Sequence, residues 1–362
     1  MRNSNKRFDL AIVPKYFGAS WGGLQNFTNR LNKKLCNLGV NTTILSPRHE
    51  GQDPNKFWLN LPERLKDLGG VRVLLAIGLE YDENVALQIK CLSHLERFED
   101  TRAWLRIATT GDLTQRANLI PNDALHSISG LIVLNRAMLS EAHSLLDQDR
   151  AYLIPVGVDT ERFAPVTLEN RAVLRQRFGL PDEATIVIAP TRDEDRKRIE
   201  VLLEAKRITQ TNVLLWLVGP GGNSGRMTNL VNSRGILVSP PIPETEIHMA
   251  YQCSDIFVTA SEREGMSNAV VEAASSGLPV CAPAIPGILE ICEAFNNQGF
   301  ILVNENSPQA LAEALRIVQR GSPRKMRQLR EPGLQRFDIS EVAMSYVRLL
   351  DLTSTAMRYV RS

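Results

Sequence analysis

The sequence has no surplus of charge of one sign: 42 lysines and arginines meet 40 aspartates and glutamates, a net charge of +2. Nothing in that balance points to nucleic acid as a partner. A cysteine pattern is also missing. The five cysteines, Cys36, Cys91, Cys253, Cys281 and Cys292, are odd in number, scattered and without metal-ligand spacing. Reduced thiols in a cytoplasmic setting are therefore expected, rather than a disulfide framework. The N-terminus starts basic, but its apolar run is only Leu10–Val13, too short for a secretory h-region or a membrane span. Low-complexity segments are absent. What remains is ordinary core material, 43% hydrophobic and 23% charged over 362 residues, which suits two soluble domains.

Strand and helix patterns alternate along the chain. Phe8–Val13 reads as a first core strand. Leu24, Phe27, Leu31, Leu35 and Leu38 then recur at helical spacing up to Gly39, ahead of a strand at Thr42–Leu45. Gly18, Gly22 and Gly23 separate the first strand from this helix, but not as G-x-G-x-x-G. No acid ends the second strand either, so a nicotinamide site does not fit. Gly22 and Gly23 form a tight turn or admit a ligand to the backbone; the residues alone leave both open. Glu50–Pro62 reads as polar and irregular, anchored by Phe57 and Trp58. Further strands are predicted at Val71–Ile77, Trp104–Ala108, Gly130–Leu134 and Tyr152–Pro155, with helices at Asn84–Phe98 and about Arg136–Leu146.

The turn-rich stretch Gly157–Pro165 reads as an inter-domain linker, followed by a charged helix, Leu168–Phe178. A second series follows, with strands at Thr185–Ala189, Val213–Val218, Gly235–Val238, Ile256–Thr259, Val280–Ala282 and Phe300–Val303. Helices Arg198–Ile208, Glu244–Gln252, Ala269–Ser276 and Pro308–Gln319 lie between and after them. The expected architecture is α/β: two Rossmann-like, doubly wound domains facing a central cleft, residues 1–160 and 161–339. A last helix, about Ser340–Val360, has an apolar face with no evident partner in the second domain. Arg320–Arg330 carries five basic residues and no acid; a solvated helix face is the plain reading and an anionic membrane surface the sharper one.

The chemistry concentrates in Ser261–Pro286. A buried strand runs into a loop bearing Glu264, then Gly265, Met266 and Ser267, then a helix bearing Glu272. In parallel sheets, ligands sit where strand ends meet helix N-termini. The Ser267 end of that helix offers backbone amides and a positive dipole end to an anion. After Thr185–Ala189 come Arg192 and Lys197, a guanidinium and an ammonium suited to a diphosphate at the same face. An exposed, salt-bridged helix cap is the bland alternative. Asp193 and Asp195 are spaced like a metal-binding pair, but Arg196, Lys197 and Arg198 neutralise them and do a metal's work, so no metal is expected. A hydrolase's acid/base pair is a poor fit for Glu264 and Glu272, since such acids on a loop and a helix suit vicinal hydroxyls better.

With those residues in place, the chain resembles the family 4 glycosyltransferases, retaining enzymes of the GT-B fold. The match rests on the E-x7-E block Glu264–Ala273, its continuation Ser275–Val280, and Pro286-Gly287 to Glu290. Ile154–Phe163 resembles the family's inter-domain segment, Arg192 and Lys197 its arginine–lysine pair, and Gly22-Gly23 its N-terminal glycine loop. The resemblance implies that Glu272 holds donor ribose hydroxyls, that Glu264 with Gly265, Met266 and Ser267 meets the transferred sugar, and that Arg192 and Lys197 hold the diphosphate. It implies no cofactor beyond a nucleotide-sugar co-substrate, and a last helix that crosses back to the first domain. The acceptor is a glycan, a lipid-linked sugar or a small molecule, in the cytoplasm or at the inner membrane face. Where many members carry a histidine before an aspartate, this chain has Gly111 before Asp112. Asp112 is then a site residue or a helix N-cap. A non-catalytic sugar-nucleotide-binding protein and a nucleotide-sugar epimerase are the rival readings.

Overall fold

The computed structural model describes residues 7–15, 22–46, 53–81, 84–192, 194–209, 212–219, 235–321 and 331–352. The chain divides into two units, Met1–Gly157 with Ile339–Ser362, and Val158–Asp338. Each is built on a six-stranded parallel sheet.

In the first unit the strands are β1 (Phe8–Pro14), β2 (Thr42–Ile44), β3 (Val71–Ile77), β4 (Arg102–Arg106), β5 (Gly130–Val133) and β6 (Ala151–Leu153). Their order is β2-β1-β3-β4-β5-β6, every pair parallel. Leu10–Val13 and Val73–Ile77 are fully buried, as expected for strands covered on both faces and therefore continuously apolar. The helix Gly23–Asn37 turns Phe27, Leu31 and Leu35 into this core.

The last helix, Ile339–Leu350, packs on Gly23–Asn37 and so completes the first unit's core with Val342, Tyr346, Val347 and Leu350. Strand β4 reaches it from below with alternate residues. Arg102 donates to the carbonyl of Leu350 at 2.6 Å, partnering the negative end of that helix. The Arg106 guanidinium lies 4.0 Å from the centre of the Phe27 ring and beside Tyr346. Burial holds Arg106 below the usual arginine range and Tyr346 above the usual tyrosine range. A cation desolvated on an aromatic face is worth about 2 kcal/mol.

One segment departs from expectation. Residues read as irregular between Glu50 and Pro62 include the start of a helix, Pro54–Asp67. Asp53 caps it, accepting from the Asn55 amide at 3.0 Å, and Pro54 occupies the first turn, where its missing N–H costs nothing. Phe57, Trp58, Leu61 and Leu65 form its buried stripe. Pro62 lies inside this helix and removes one hydrogen bond from an element already held by that stripe.

The second unit holds β7 (Thr185–Pro190), β8 (Val213–Val218), β9 (Ile236–Ser239), β10 (Ile256–Val258), β11 (Val280–Pro283) and β12 (Phe300–Val303). Their order is β12-β11-β10-β7-β8-β9, again all parallel. From β7 the chain moves to β8 on one side; from β10 it moves to β11 on the other. The loops leaving β7 and β10 therefore diverge, and the crevice between them is where such sheets bind ligands.

At the other end of the central strands β7 and β10 a buried ion cluster fixes the helix Leu168–Arg177 to the sheet. Arg171 and Arg175 both pair with Asp255, the latter at 2.5 Å, and Asp255 also accepts from the Ile186 amide at 2.8 Å. Arg175 further donates to the carbonyls of Cys253 at 3.1 Å and Asp182 at 2.7 Å. The unit's two ends lie together: Val158 and Asp338 form a parallel bridge, the Val158 amide donates to Phe337 at 2.8 Å, and Thr160 donates to the Asp338 carboxylate at 2.6 Å. In the first unit, Gly157 leaves no room for a side chain, since a β-carbon there would sit 2.5 Å from Ile339 Cδ1.

Candidate active site

The loop after β7 closes in a single 3-10 turn, Asp195–Lys197, and the loop after β10 carries Ser261 to Ser267. The backbone joins them first: the Glu262 amide donates to the Arg196 carbonyl at 2.9 Å. Side chains then converge on Glu264, which is only 13% exposed. Its Oε1 takes the Lys197 ammonium at 2.5 Å and Arg196 Nη1 at 3.3 Å. Burial pushes the Glu264 carboxyl up, but the Lys197 and Arg196 charges, with hydrogen bonds from Lys197 and Ser261, outweigh it and hold the group below the usual carboxylate range.

Arg192 stands at the rim, half-exposed, with Nη2 2.9 Å from Glu194 Oε1, while Arg196 Nη2 meets the other oxygen of Glu194 at 2.8 Å. Arg198 adopts a left-handed backbone, φ 49°, as the chain turns into the helix Ile199–Thr209, and it pairs with Glu262 and Glu200. Arg196, read from sequence only as a neutraliser of Asp193 and Asp195, pairs with Glu194 and Glu264 as well. Asp193 lies outside the described residues, so the aspartate pair is not described as a unit. Among the described residues there is no cluster of three or more metal-ligating side chains.

Beyond Glu264 the loop tightens. Gly265 lies against the N-terminal turn of the helix Pro286–Ala294, where Gly287 has no space for a β-carbon. Met266 and Ser267 are buried, and Ser267 is the extended N-cap of Asn268–Ser275 with no side-chain cap, so the helix's first amides are left to other acceptors. One turn in, Glu272 is buried and accepts from the Tyr251 hydroxyl at 2.8 Å. Tyr251 is itself fixed by Phe163 and Phe257, ring centres 5.6 and 6.3 Å away. The structure thus brings Arg192, Lys197, Glu264, Gly265, Met266, Ser267 and Glu272 onto the crevice loops of one sheet and the helix that follows.

Sequence reasoning missed Arg196, Ser261 and Tyr251 as neighbours of these acids. Tyr251 sits on a separate helix, Ile247–Cys253, and no spacing rule connects it to Glu272.

The residues expected from the first unit are described apart. Gly22 caps the helix Gly23–Asn37 in an extended conformation, φ −175°, with no side-chain cap and no acid in the first turn. Gly111, at φ 85°, occupies the left-handed region and is the N-cap of a short helix, Asp112–Gln115. That corrects the N-cap reading of Asp112, which is the first helical residue and pairs with Arg116 at 2.7 Å. Glu141 supplies the cap from outside, accepting from the Gly111 amide at 3.0 Å and the Thr114 amide at 2.7 Å. Lys15, which donates to the Leu79 carbonyl at 2.6 Å and lies over the Tyr81 ring, was not anticipated at the same sheet edge. Of the basic stretch Arg320–Arg330, residues 322–330 lie outside the described residues, as does 353–362 of the last helix. No helix among the described residues is long and apolar enough to cross a membrane.

Residues 170–335, which carry every part of the cation–carboxylate site, match the family described as Glycosyl transferases group 1. That match covers most of the second unit, Val158–Asp338. A D-inositol 3-phosphate glycosyltransferase of Xylanimonas cellulosilytica is 29% identical to this chain over 182 residues, 47% of this chain and 43% of that protein. The chain spans about half the length of the curated relatives it matches. Among solved structures, sucrose-phosphate synthase of Thermosynechococcus elongatus superposes with a TM-score of 0.75 at 18% identity, covering 98% of this chain and all of that one (100%). Anabaena HepE, solved in complex with UDP-glucose, gives a TM-score of 0.71 at 13% identity, covering 96% and 100%. Both share the GT-B fold with this chain.

Proposed function

We propose that this protein is a retaining glycosyltransferase that moves a sugar from a nucleotide-sugar donor to a glycan, lipid-linked or small-molecule acceptor. The observation that carries the reading is the meeting of Lys197 and Arg196 on Glu264 at the switch point of the second sheet, beside an uncapped helix N-terminus. A diphosphate needs fixed positive charge and amide donors, and both are there. Vicinal hydroxyls need a carboxylate, and Glu272 stands one helical turn away. The UDP-glucose bound by the Anabaena neighbour supports a nucleotide sugar as donor.

In this reading Arg192 and Lys197 take the diphosphate with the amides after Ser267. Glu272 takes the ribose, and Glu264 with Gly265 and Met266 meets the sugar. Gly22 and Gly23 give the backbone room for the ligand, and Asp112 serves an acceptor held by the first unit. The bond from the sugar's anomeric carbon to the phosphate oxygen breaks as the acceptor oxygen bonds to the same face. The acceptor's proton goes to the departing phosphate, whose charge the cations stabilise. No metal is required, so chelation by EDTA leaves turnover intact.

The test is transfer or donor hydrolysis by purified protein over a panel of UDP-, GDP- and ADP-sugars, with product anomers read by NMR. Turnover lost in Glu264→Ala and Arg192→Ala supports the proposal. Binding without turnover of any donor, or sugar interconversion without an acceptor, overturns it.

A further inference from the structure

Lys197 and Arg196 reach the same carboxylate oxygen, yet they are held very differently. Lys197 meets Glu264 Oε1 at 2.5 Å and, among the described residues, makes no other side-chain polar contact. Its ammonium is a point charge on a flexible stem, free to turn. Arg196 is tied on several sides. Its guanidinium spans Glu264 at 3.3 Å and Glu194 at 2.8 Å, and its Nη1 lies 3.4 Å from the Arg263 carbonyl. Its own carbonyl accepts from the Glu262 amide, and Arg198, two residues on, pairs with the Glu262 side chain.

We propose that Arg196 is a positioning residue, which keeps the Glu264 carboxylate anchored as an anion when Lys197 turns from it to a bound diphosphate. This rests on the reading of the site given above and assigns a step within it. A diphosphate carries more charge than one carboxylate and draws Lys197 away. Glu264 then stands near a polyanion with one cation fewer, which favours its protonation and release from the loop. Arg196 is the charge that stays. Polar groups facing Glu264 include Lys197 and Arg196 from the 3-10 turn and the Ser261 hydroxyl from its own loop. The helix Pro286–Ala294 presents Gly287 to the Glu264 carbonyl. Glu194 shares Arg196, and Glu262 is taken by Arg198.

The test follows the Glu264 carboxyl by carbon-13 NMR in glutamate-labelled protein, its resonance identified by its loss in Glu264→Gln. Titrations are run on wild type, Arg196→Gln and Arg196→Lys, free and with saturating UDP, GDP or ADP, with binding confirmed by calorimetry. In wild type, the bound nucleotide moves the Glu264 midpoint by less than about half a pH unit. In Arg196→Gln it rises by about one unit or more, and Arg196→Lys restores part of the difference. The acid limb of kcat moves with it, while KM for the donor changes less than about threefold. If nucleotide-bound Arg196→Gln titrates like wild type, the role of Arg196 is overturned while the site stands. If calorimetry shows no binding of any of the three nucleotides, the reading of the site falls and this step with it.

Discussion

Gly287 lies so close to Gly265 that a β-carbon built on it would sit 2.1 Å from the Gly265 carbonyl oxygen. That oxygen belongs to the backbone of the loop that presents Glu264, so the loop has to move to admit a methyl group. Gly287→Ala is expected to displace it by about 1 Å and to cut turnover on the order of a hundredfold. The overpacking itself costs about 1–3 kcal/mol, a fall in Tm of about 2–4 °C for each kcal/mol. Kinetics and thermal melting measure both; wild-type kcat in a folded variant contradicts the loop's role.

Lys197→Ala and Glu264→Gln are expected to act in opposite directions on nucleotide binding. Losing the ammonium removes a charge-assisted contact worth about 1.5–3 kcal/mol, so UDP affinity falls about ten- to hundredfold. Losing the carboxylate frees Lys197 for phosphate, so affinity holds or rises while turnover collapses. Calorimetry with UDP decides; equal losses in both variants would show that the pair does not partition between carboxylate and phosphate.

Tyr251→Phe removes a hydrogen bond of 2.8 Å to the buried Glu272. A carboxylate deprived of a donor costs about 1–3 kcal/mol of stability. If Glu272 reads the ribose, affinity for UDP drops while affinity for 2′,3′-dideoxy-UDP does not. A uniform drop in both argues for a packing role alone.

The two arginines on Asp255 give the largest expected stability effect. Asp255→Ala leaves Arg171 and Arg175 buried with their shared carboxylate gone, and costs about 3–5 kcal/mol. The exposed Arg177–Glu246 pair, 2.9 Å apart, is the internal control, with Arg177→Ala changing stability by less than about 1 kcal/mol. Urea unfolding monitored by fluorescence compares the two.

Acid should weaken the second unit partly through Glu264. Its carboxyl is held below its ordinary value of 4.5, so the folded state keeps the anion where the unfolded chain takes up a proton. The resulting stabilisation is complete above that value and drains away as pH falls toward the folded-state pKa. Urea midpoints measured from neutral pH down through pH ~4 should converge for wild type and Glu264→Gln. A gap between them that stays constant with pH contradicts the linkage.

Much of the site was legible because its residues are local in sequence. Glu264, Ser267 and Glu272 fall on one loop and the helix it enters, and Lys197 on the first loop of the same sheet. The partners that set their charge and direction were not legible. Tyr251 comes from another helix, and Arg196 owes its role to a backbone contact with Glu262 that no periodicity encodes. The helix Pro54–Asp67 was missed because Glu50–Pro62 was read as polar and irregular, although Phe57 and Trp58, with Leu61 and Leu65, form one buried stripe in the folded unit. Gly111 looked like a missing histidine, whereas its positive φ makes it a turn residue whose side chain would be strained.

The ends of the second unit, Val158 and Asp338, are hydrogen-bonded neighbours. A segment that starts and stops at one point on its own surface adds almost no loop-closure cost to whatever chain it interrupts. In evolutionary terms it behaves as a cassette. Exchanging the second unit would not rethread its host, because the two junctions adjoin.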